Sequence, residues 1–258
     1  MKLAHVDDLG DRAVVVNLNT HKRAALSPDL YAAIAEAFEL AKNPRIRSVL
    51  FTAERSFFYS GGDLNTLIER RKLSEVERKQ QIEGLHRSVS LIRQSPVPVI
   101  AAVKGGTAGA GFFIAMACDL VVSSEGVTFT AAYVKAGLVP DGGLTSALSR
   151  LVPRPFAMEM CLMARPVAAE RLASAGAVNL VVPAVEVEAQ AHVLADQLSK
   201  GPRDAMRQIR RLVSSAYEER EEDHLVNERD AMARAQGGPE AAEGISAFLE
   251  KRKPDFST

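Results

Sequence analysis

Three stretches of this chain hold residues whose types and spacing suit chemistry, and two of them are glycine turns. Residues 105–119, GGTAGAGFFIAMACD, run from a glycine-rich turn straight into an apolar, helix-forming segment. Glycine lets a backbone approach a ligand closely, and a helix start presents N–H groups without intrahelical partners, so such a junction is suited to holding negative charge. A second turn of the same kind, SFFYSGGDL, begins at Ser56 and ends at Leu64, after a β-rich run and before a helix. Two such turns supply two backbone N–H donors, the ingredient of a site that stabilises the oxyanion or enolate of a thioester carbonyl. The third stretch is GLVPDGG, in which Asp141 stands between Pro140 and paired glycines. Taken alone, an aspartate there is a turn former or helix cap, with a chemical role as the alternative.

Several other chemistries lose their usual signals. The glycine loop does not complete GxGxxG, and the chain has no GxxxxGKS/T, GxSxG or HExxH, which disfavours dinucleotide, P-loop, serine-hydrolase and zinc-protease readings. The 5 histidines are scattered and form no metal-ligand pattern. Cys118 and Cys161 sit in apolar helical contexts without metal spacing and read as buried free thiols. With 32 basic and 32 acidic residues, nothing recruits nucleic acid or an anionic membrane wholesale. The N-terminal MKLAHVDDLGDRAVVV has acids where a signal peptide needs a basic end, and no apolar run approaches the roughly 18 residues of a membrane span. A cytoplasmic location is expected.

At 258 residues and 47% hydrophobic, the chain can bury one large core and carry an appendage. Strands are expected at residues 12–18, 46–52, 97–103, 119–123 and 178–182. Between the first of them, residues 28–43 and 74–95 carry apolar side chains at helical spacing, such as Leu30, Ile34 and Phe38, or Ile82, Leu85 and Val89. Strand and helix alternating in this way imply a parallel sheet in an α/β fold. From about residue 184 the strands stop, and helices at 184–199, 202–217, 219–236 and 239–251 read as an all-helical appendage. Lys200-Gly201-Pro202 marks a helix break, dividing a core at 1–200 from a helical domain at 201–258. In the helix after that break, Ala205, Ile209, Leu212, Val213 and Ala216 form an apolar stripe for packing against the body or a neighbouring subunit. The charge runs at 69–72 and 218–223 read as solvated helix faces.

The order and context of these stretches resemble the crotonase (enoyl-CoA hydratase/isomerase) superfamily over nearly the whole chain. The marks are Leu18-Asn19 followed by Lys22-Arg23-Ala24-Ala25-Leu26, then Ser60-Gly61-Gly62-Asp63-Leu64, PVIAAVKG from Pro98, Gly109-Ala110-Gly111, Cys118-Asp119 and a terminal FLEKRKPDF. The resemblance implies a spiral of ββα units, a helical C-terminal domain that forms homotrimers or dimers of trimers, and an acyl-CoA thioester as bound partner. Coenzyme A then enters as part of the substrate, and no separate cofactor or metal is implied. By position, the backbone N–H groups of Gly62 and Ala110 would form the oxyanion hole. Lys22, Arg23, Lys251 and Lys253 are candidates for the CoA phosphates, and the backbone around Ala24 to Leu26 and Ser60 to Leu64 for the rest of CoA.

Departures from the family's hydratase pattern sharpen the expectation. The two positions that would hold hydratase glutamates are Phe113 and Tyr133, neither of which is a carboxylate. Asp141 falls where dienoyl-CoA isomerases and ring-1,2-epoxyphenylacetyl-CoA isomerase keep their catalytic aspartate, and KAGLVPD with the GAG turn looks closest to the latter. The resemblance therefore implies an isomerase in which Asp141 moves a proton, with Gly109, Phe113, Tyr133 and Pro140 around the acyl group. His86 reads as a core histidine on the apolar side of its helix. It also matches the histidine of the superfamily's 4-chlorobenzoyl-CoA dehalogenase, which gives a rival: nucleophilic Asp141 with His86 as base. A hydratase-like lyase and a catalytically inactive acyl-CoA binder are two further rivals.

Overall fold

The computed structural model describes residues 2–55 and 57–256. Ser56, at the head of the second glycine turn, lies outside the described residues, as do the terminal Met1, Ser257 and Thr258. The chain opens with a hairpin, β1 (Ala4–Asp8) and β2 (Arg12–Asn17), and continues through α1 (Pro28–Leu40), β3 (Ser48–Ala53), α2 (Leu64–Arg70) and α3 (Glu75–Arg93). Next come β4 (Val99–Val103), β5 (Thr107–Ala108), α4 (Ala110–Ala117), β6 (Leu120–Ser124) and β7 (Thr128–Thr130). The helices α5 (Leu144–Leu151) and α6 (Arg154–Met163) lead into β8 (Val167–Ala168), α7 (Ala169–Ser174) and β9 (Leu180–Val182). The end of the chain is helical: α8 (Val187–Ser199), α9 (Arg203–Ser215), α10 (Glu221–Gln236) and α11 (Pro239–Leu249).

The main sheet has the order β1-β2-β3-β4-β6-β9, parallel throughout except for the antiparallel β1 edge. A small second sheet, β5-β7-β8, stands apart from it. Every residue of SVLFTA in β3 and VIAAV in β4 is buried, as expected of central parallel strands covered on both faces. On one face lie Leu30, Ile34 and Phe38 of α1 with Leu85, Val89 and Ile92 of α3, in one core with the buried α4. The other face is covered by α8, whose Val187, Ala191 and Ala195 rest on Leu50, Ile100 and Val122.

That packing corrects one expectation. The helical segment beginning near residue 184 is not an appendage, because α8 closes the second face of the sheet. Arg12 fastens it there: its buried guanidinium donates to the His192 carbonyl at 3.1 Å and pairs with Asp11 and Asp196. The helices after the Gly201 break are tied differently. Arg210 of α9 reaches into the body, donating to Asp119 at 2.6 Å and to the Ile92 carbonyl at 3.1 Å, while Ile209 and Val213 beside it are 59% and 69% exposed. Within the chain, therefore, the α9 apolar stripe is largely uncovered.

Local signals account for the helices that carry the site. Ser27 caps α1 by accepting from Leu30 N–H at 3.2 Å, with Pro28 at the first helical position. Ser74 and Glu77 form a reciprocal capping box at the head of α3. The critical junction is between α4 and the segment before α2. A Cβ on Gly111 would lie 2.0 Å from the Tyr59 carbonyl oxygen, so only glycine permits this approach. Gly111→Ala is expected to destabilise the protein by about 1–3 kcal/mol or more, read as a lowered denaturant midpoint; a midpoint equal to that of the parent would show the contact to be slack.

Candidate active site

The two glycine turns are brought together by backbone pairing. Phe58 N–H donates to the Gly106 carbonyl at 3.1 Å, and Ala108 N–H to the Tyr59 carbonyl at 3.1 Å. The Thr107 hydroxyl adds a second donor to the same Tyr59 oxygen at 2.8 Å. The pairing ends with Gly61 against the second turn, where a Cβ would lie 2.9 Å from the Ala108 oxygen and 3.2 Å from the Ala110 nitrogen. Gly109 N–H is engaged by the Thr130 carbonyl at 3.0 Å, and α4 begins at Ala110. Among the described residues, the N–H groups of Gly62 and Ala110 have no acceptor within the protein. Two unengaged donors thus sit on touching turns, one of them at the positive end of a buried helix, an arrangement able to hold an anionic oxygen.

The segment carrying Lys22 to Leu26 clamps the first of these turns. Leu26 N–H donates to the Gly61 carbonyl at 2.9 Å, and the Ser60 hydroxyl donates to the Lys22 carbonyl at 3.2 Å. Arg23 and Ala24 both take left-handed conformations, φ 52° and 55°, which cost about 1–2 kcal/mol per residue. Two buried amides hold that strain: Asn17 donates to the Ala24 carbonyl at 2.9 Å and Asn19 to the Ala25 carbonyl at 3.0 Å. The Lys22 ammonium pairs with Asp63, which lowers the Asp63 carboxyl below its ordinary range and leaves it capping α2 through Asn65 N–H at 3.1 Å. Leu64, the first residue of α2, is 66% exposed. Lys22, Arg23, Ala24, Leu26, Ser60, Gly61, Asp63 and Leu64 therefore share one region, whereas exposed Lys251 and Lys253 follow the end of α11.

Asp141 is joined to this frame through Tyr133. The phenol, on a single helical turn at Ala132–Ala136, donates to Asp141 Oδ1 at 2.8 Å, and its ring lies against Gly109. The Asp141 side chain does not cap α5, whose N-cap is Gly143 without a side-chain hydrogen bond. Burial, followed by the charge of Asp141, holds the Tyr133 phenol far above its ordinary range, so it remains a donor. The Tyr31 phenol is raised too, mainly by burial, with the charge of Arg70 opposing and that of Asp141 adding. Phe113 is fully buried beneath Gly142 and Gly143, with the Arg93 guanidinium 5.8 Å from its ring centroid. It supports the loop that carries Pro140 and Asp141.

His86 departs from its expected place. The buried face of α3 is Leu85, Ser88, Val89 and Ile92, and a residue one step from Leu85 is rotated roughly 100° away. The His86 side chain is 50% exposed, with Glu83 at 3.9 Å, so it is not a core histidine. Sequence reasoning also missed a cleft of about 490 Å³ whose lining includes Tyr31, Gly62, Leu67, Arg70 and Arg87. Arg70, expected on a solvated face, is instead half-buried, and its inward turn is signalled only by its spacing of three from Leu67.

Known proteins resemble this chain in sequence and in fold. The enoyl-CoA hydratase/isomerase family profile matches residues 11–258. The chain is 32% identical over 248 residues to a probable enoyl-CoA hydratase of Rhodobacter capsulatus, covering 96% of this chain and 92% of that one. It is 30% identical over 258 residues to 1,2-epoxyphenylacetyl-CoA isomerase of Escherichia coli, covering 99% and 97%. Among solved structures, an enoyl-CoA hydratase from Polaromonas sp. JS666 superposes with a TM-score of 0.94 at 38% identity, covering 98% of each chain. The crotonase-like α/β fold expected from the sequence is the one observed.

The surroundings of Tyr133 give a spectroscopic expectation. Burial and the adjacent carboxylate both favour the neutral phenol, so deprotonation is deferred to pH well above the usual tyrosine value of about 10. In an ultraviolet titration, the component lost in Tyr133→Phe should be one that ionises only beyond that range. Loss of a component titrating near the ordinary value would contradict the hydrogen-bonded, buried environment.

Proposed function

The chain belongs to the enoyl-CoA hydratase/isomerase family, and we propose that within it the protein is an acyl-CoA isomerase, shifting a double bond or opening a strained ring with Asp141 as acid and base. The observation that carries this reading is the Asp141 carboxylate held at 2.8 Å by Tyr133, whose ring lies against Gly109; the sequence resemblance supports it by implying Phe113 and Tyr133 at the positions of the hydratase glutamates. Water addition would lack both of those carboxylates. An isomerase needs one.

For a β,γ-enoyl thioester, an Asp141 oxygen removes a proton from the α-carbon. The C–H electrons form a double bond between the α-carbon and the carbonyl carbon, giving a dienolate as the carbonyl π pair moves to the thioester oxygen, which the N–H groups of Gly62 and Ala110 receive. When the γ-carbon is protonated the carbonyl re-forms and that double bond shifts to the α,β position. The same carboxyl group then returns its proton to the γ-carbon, giving the α,β-enoyl isomer with no water consumed and no change of oxidation state. Tyr133 fixes Oδ1, leaving Oδ2 to carry the proton. The names of the relatives include both a hydratase and an isomerase, and the side chains at these positions favour the second. The rival with nucleophilic Asp141 and His86 as base draws no support from an exposed histidine beside Glu83. The division into a core at 1–200 and an oligomerisation domain at 201–258 belongs to the same proposal, with exposed Ile209, Val213, Phe248 and Leu249 meeting further copies of the chain in a trimer or dimer of trimers.

The test is proton exchange in heavy water with β,γ-enoyl, dienoyl and ring-epoxidised CoA thioesters, followed by mass spectrometry and NMR. Bond migration with deuterium incorporation and no hydration is expected, and Asp141→Asn should lower kcat by about a thousandfold. Full turnover by that variant would end the proposal. Tight binding of CoA thioesters without turnover of any would support an inactive binder instead.

A further inference from the structure

The cleft beside Gly62 contains two cations with no protein partner. Arg70 extends from the end of α2 and Arg87 from the middle of α3, both lining the same 490 Å³ space. Among the described residues neither makes an ion pair or hydrogen bond, and Arg70 Nε is buried without any acceptor. Elsewhere Arg12 pairs with Asp196, Arg45 with Asp8, Arg210 with Asp119 and Arg252 with Glu243. Arg47 and Arg203 also have a buried Nε without an acceptor, but each donates through its terminal nitrogen to a carbonyl, of Gly201 and Ala41 respectively, which Arg70 does not. Of the two carboxylates on the cleft wall, Asp63 is paired with Lys22, and Glu83, 51% exposed, stands 3.9 Å from the His86 ring and pairs with neither arginine. Arg70 is half-buried with its Nε left without an acceptor, while Arg87 is exposed on the wall of the same cleft. A guanidinium partly withdrawn from water and unpaired is a site for an anion, and its planar fork matches a carboxylate.

Resting on the reading of Gly62 as a donor to the thioester oxygen, we propose that this cleft selects acyl groups bearing their own anion, so that the substrate is the CoA thioester of a dicarboxylic acid with its free carboxylate held by Arg70 and Arg87. A substrate of this kind has two sources of negative charge, the acyl carboxylate and the CoA phosphates. The location favours the carboxylate. Arg70 and Tyr31 line the same cleft as Gly62, the donor read here as holding the thioester oxygen, whereas Lys22, the candidate for the CoA phosphates, is outside that lining. The two glutamines of the lining, Gln80 and Gln81, add neutral donors and no opposing charge.

Calorimetric titration with adipyl-CoA and hexanoyl-CoA tests the assignment without requiring turnover. The parent protein should bind adipyl-CoA about ten- to a hundredfold more tightly, and Arg70→Gln and Arg87→Gln should each shrink that preference, the double variant removing it. Equal affinity of the parent for the two thioesters would overturn the inference. It would also fall if the variants weakened both thioesters equally and the parent lost the same factor on their 3′-dephospho forms, since the arginines would then be holding the CoA phosphate. Because binding is read separately, a retained adipyl preference with no isomerisation would count against the proposed reaction alone.

Discussion

The approach of the Tyr59 carbonyl to Gly111 is the contact on which the rest of the arrangement depends. One oxygen accepts from Ala108 N–H and the Thr107 hydroxyl while sitting where a Cβ on Gly111 would be. It thereby sets the distance between the chain leaving β3 and the start of α4. Shifting either turn by a fraction of an ångström breaks these hydrogen bonds or drives the carbonyl into the helix. The close-packed interior around α4, with Phe112, Phe113, Ile114 and Ala115 fully buried, leaves little room to relax. What this rigidity secures is the position of two backbone donors, which no side-chain rotamer change can displace.

Around that fixed backbone, the side chains decide the chemistry. Phe113 fills the space under Gly142 and Gly143 and so holds up the loop carrying Asp141. Tyr133 stands against Gly109 and donates to the Asp141 carboxylate. A single carboxylate on a loop supported by an aromatic ring and bonded to a phenol donor suits the proposed reaction, in which a proton leaves one carbon and returns at another. The strain at Arg23 and Ala24 fits the same division of labour, since Asn17 and Asn19 hold the left-handed pair in the shape that lets Leu26 and Ser60 fasten the Gly61 turn.

Much of the frame was legible in the sequence because it is written in local pattern. Buried strands such as SVLFTA and VIAAV are continuous apolar runs, and α1 and α3 carry apolar spacing with Ser caps. The glycine turns and Asp141 were visible as motifs. What escaped is decided by tertiary contact. Short β5, β7 and β8 have only two or three residues each, too few for a periodic signal. The alanines of α8 look alike whether the helix covers a sheet or hangs free. His86 was misplaced because its spacing from Ile82 and Val89 suggested the apolar side, whereas the buried face is centred on Leu85, Ser88, Val89 and Ile92 and leaves position 86 outside it. Arg70 lay hidden in a charge run, and the hydrogen bond from Tyr133 to Asp141 spans a turn whose geometry no spacing encodes.

The most direct measurement is the isotope-edited infrared spectrum of a thioester labelled with carbon-13 at its carbonyl, free and bound to the Asp141→Asn protein, which leaves the backbone donors intact. The result expected is a carbonyl stretch displaced to lower frequency on binding, because the N–H groups of Gly62 and Ala110 polarise the bond whether or not the carboxylate is charged. A bound carbonyl with the frequency it has in water or higher would contradict the proposal that these two turns form the oxyanion site.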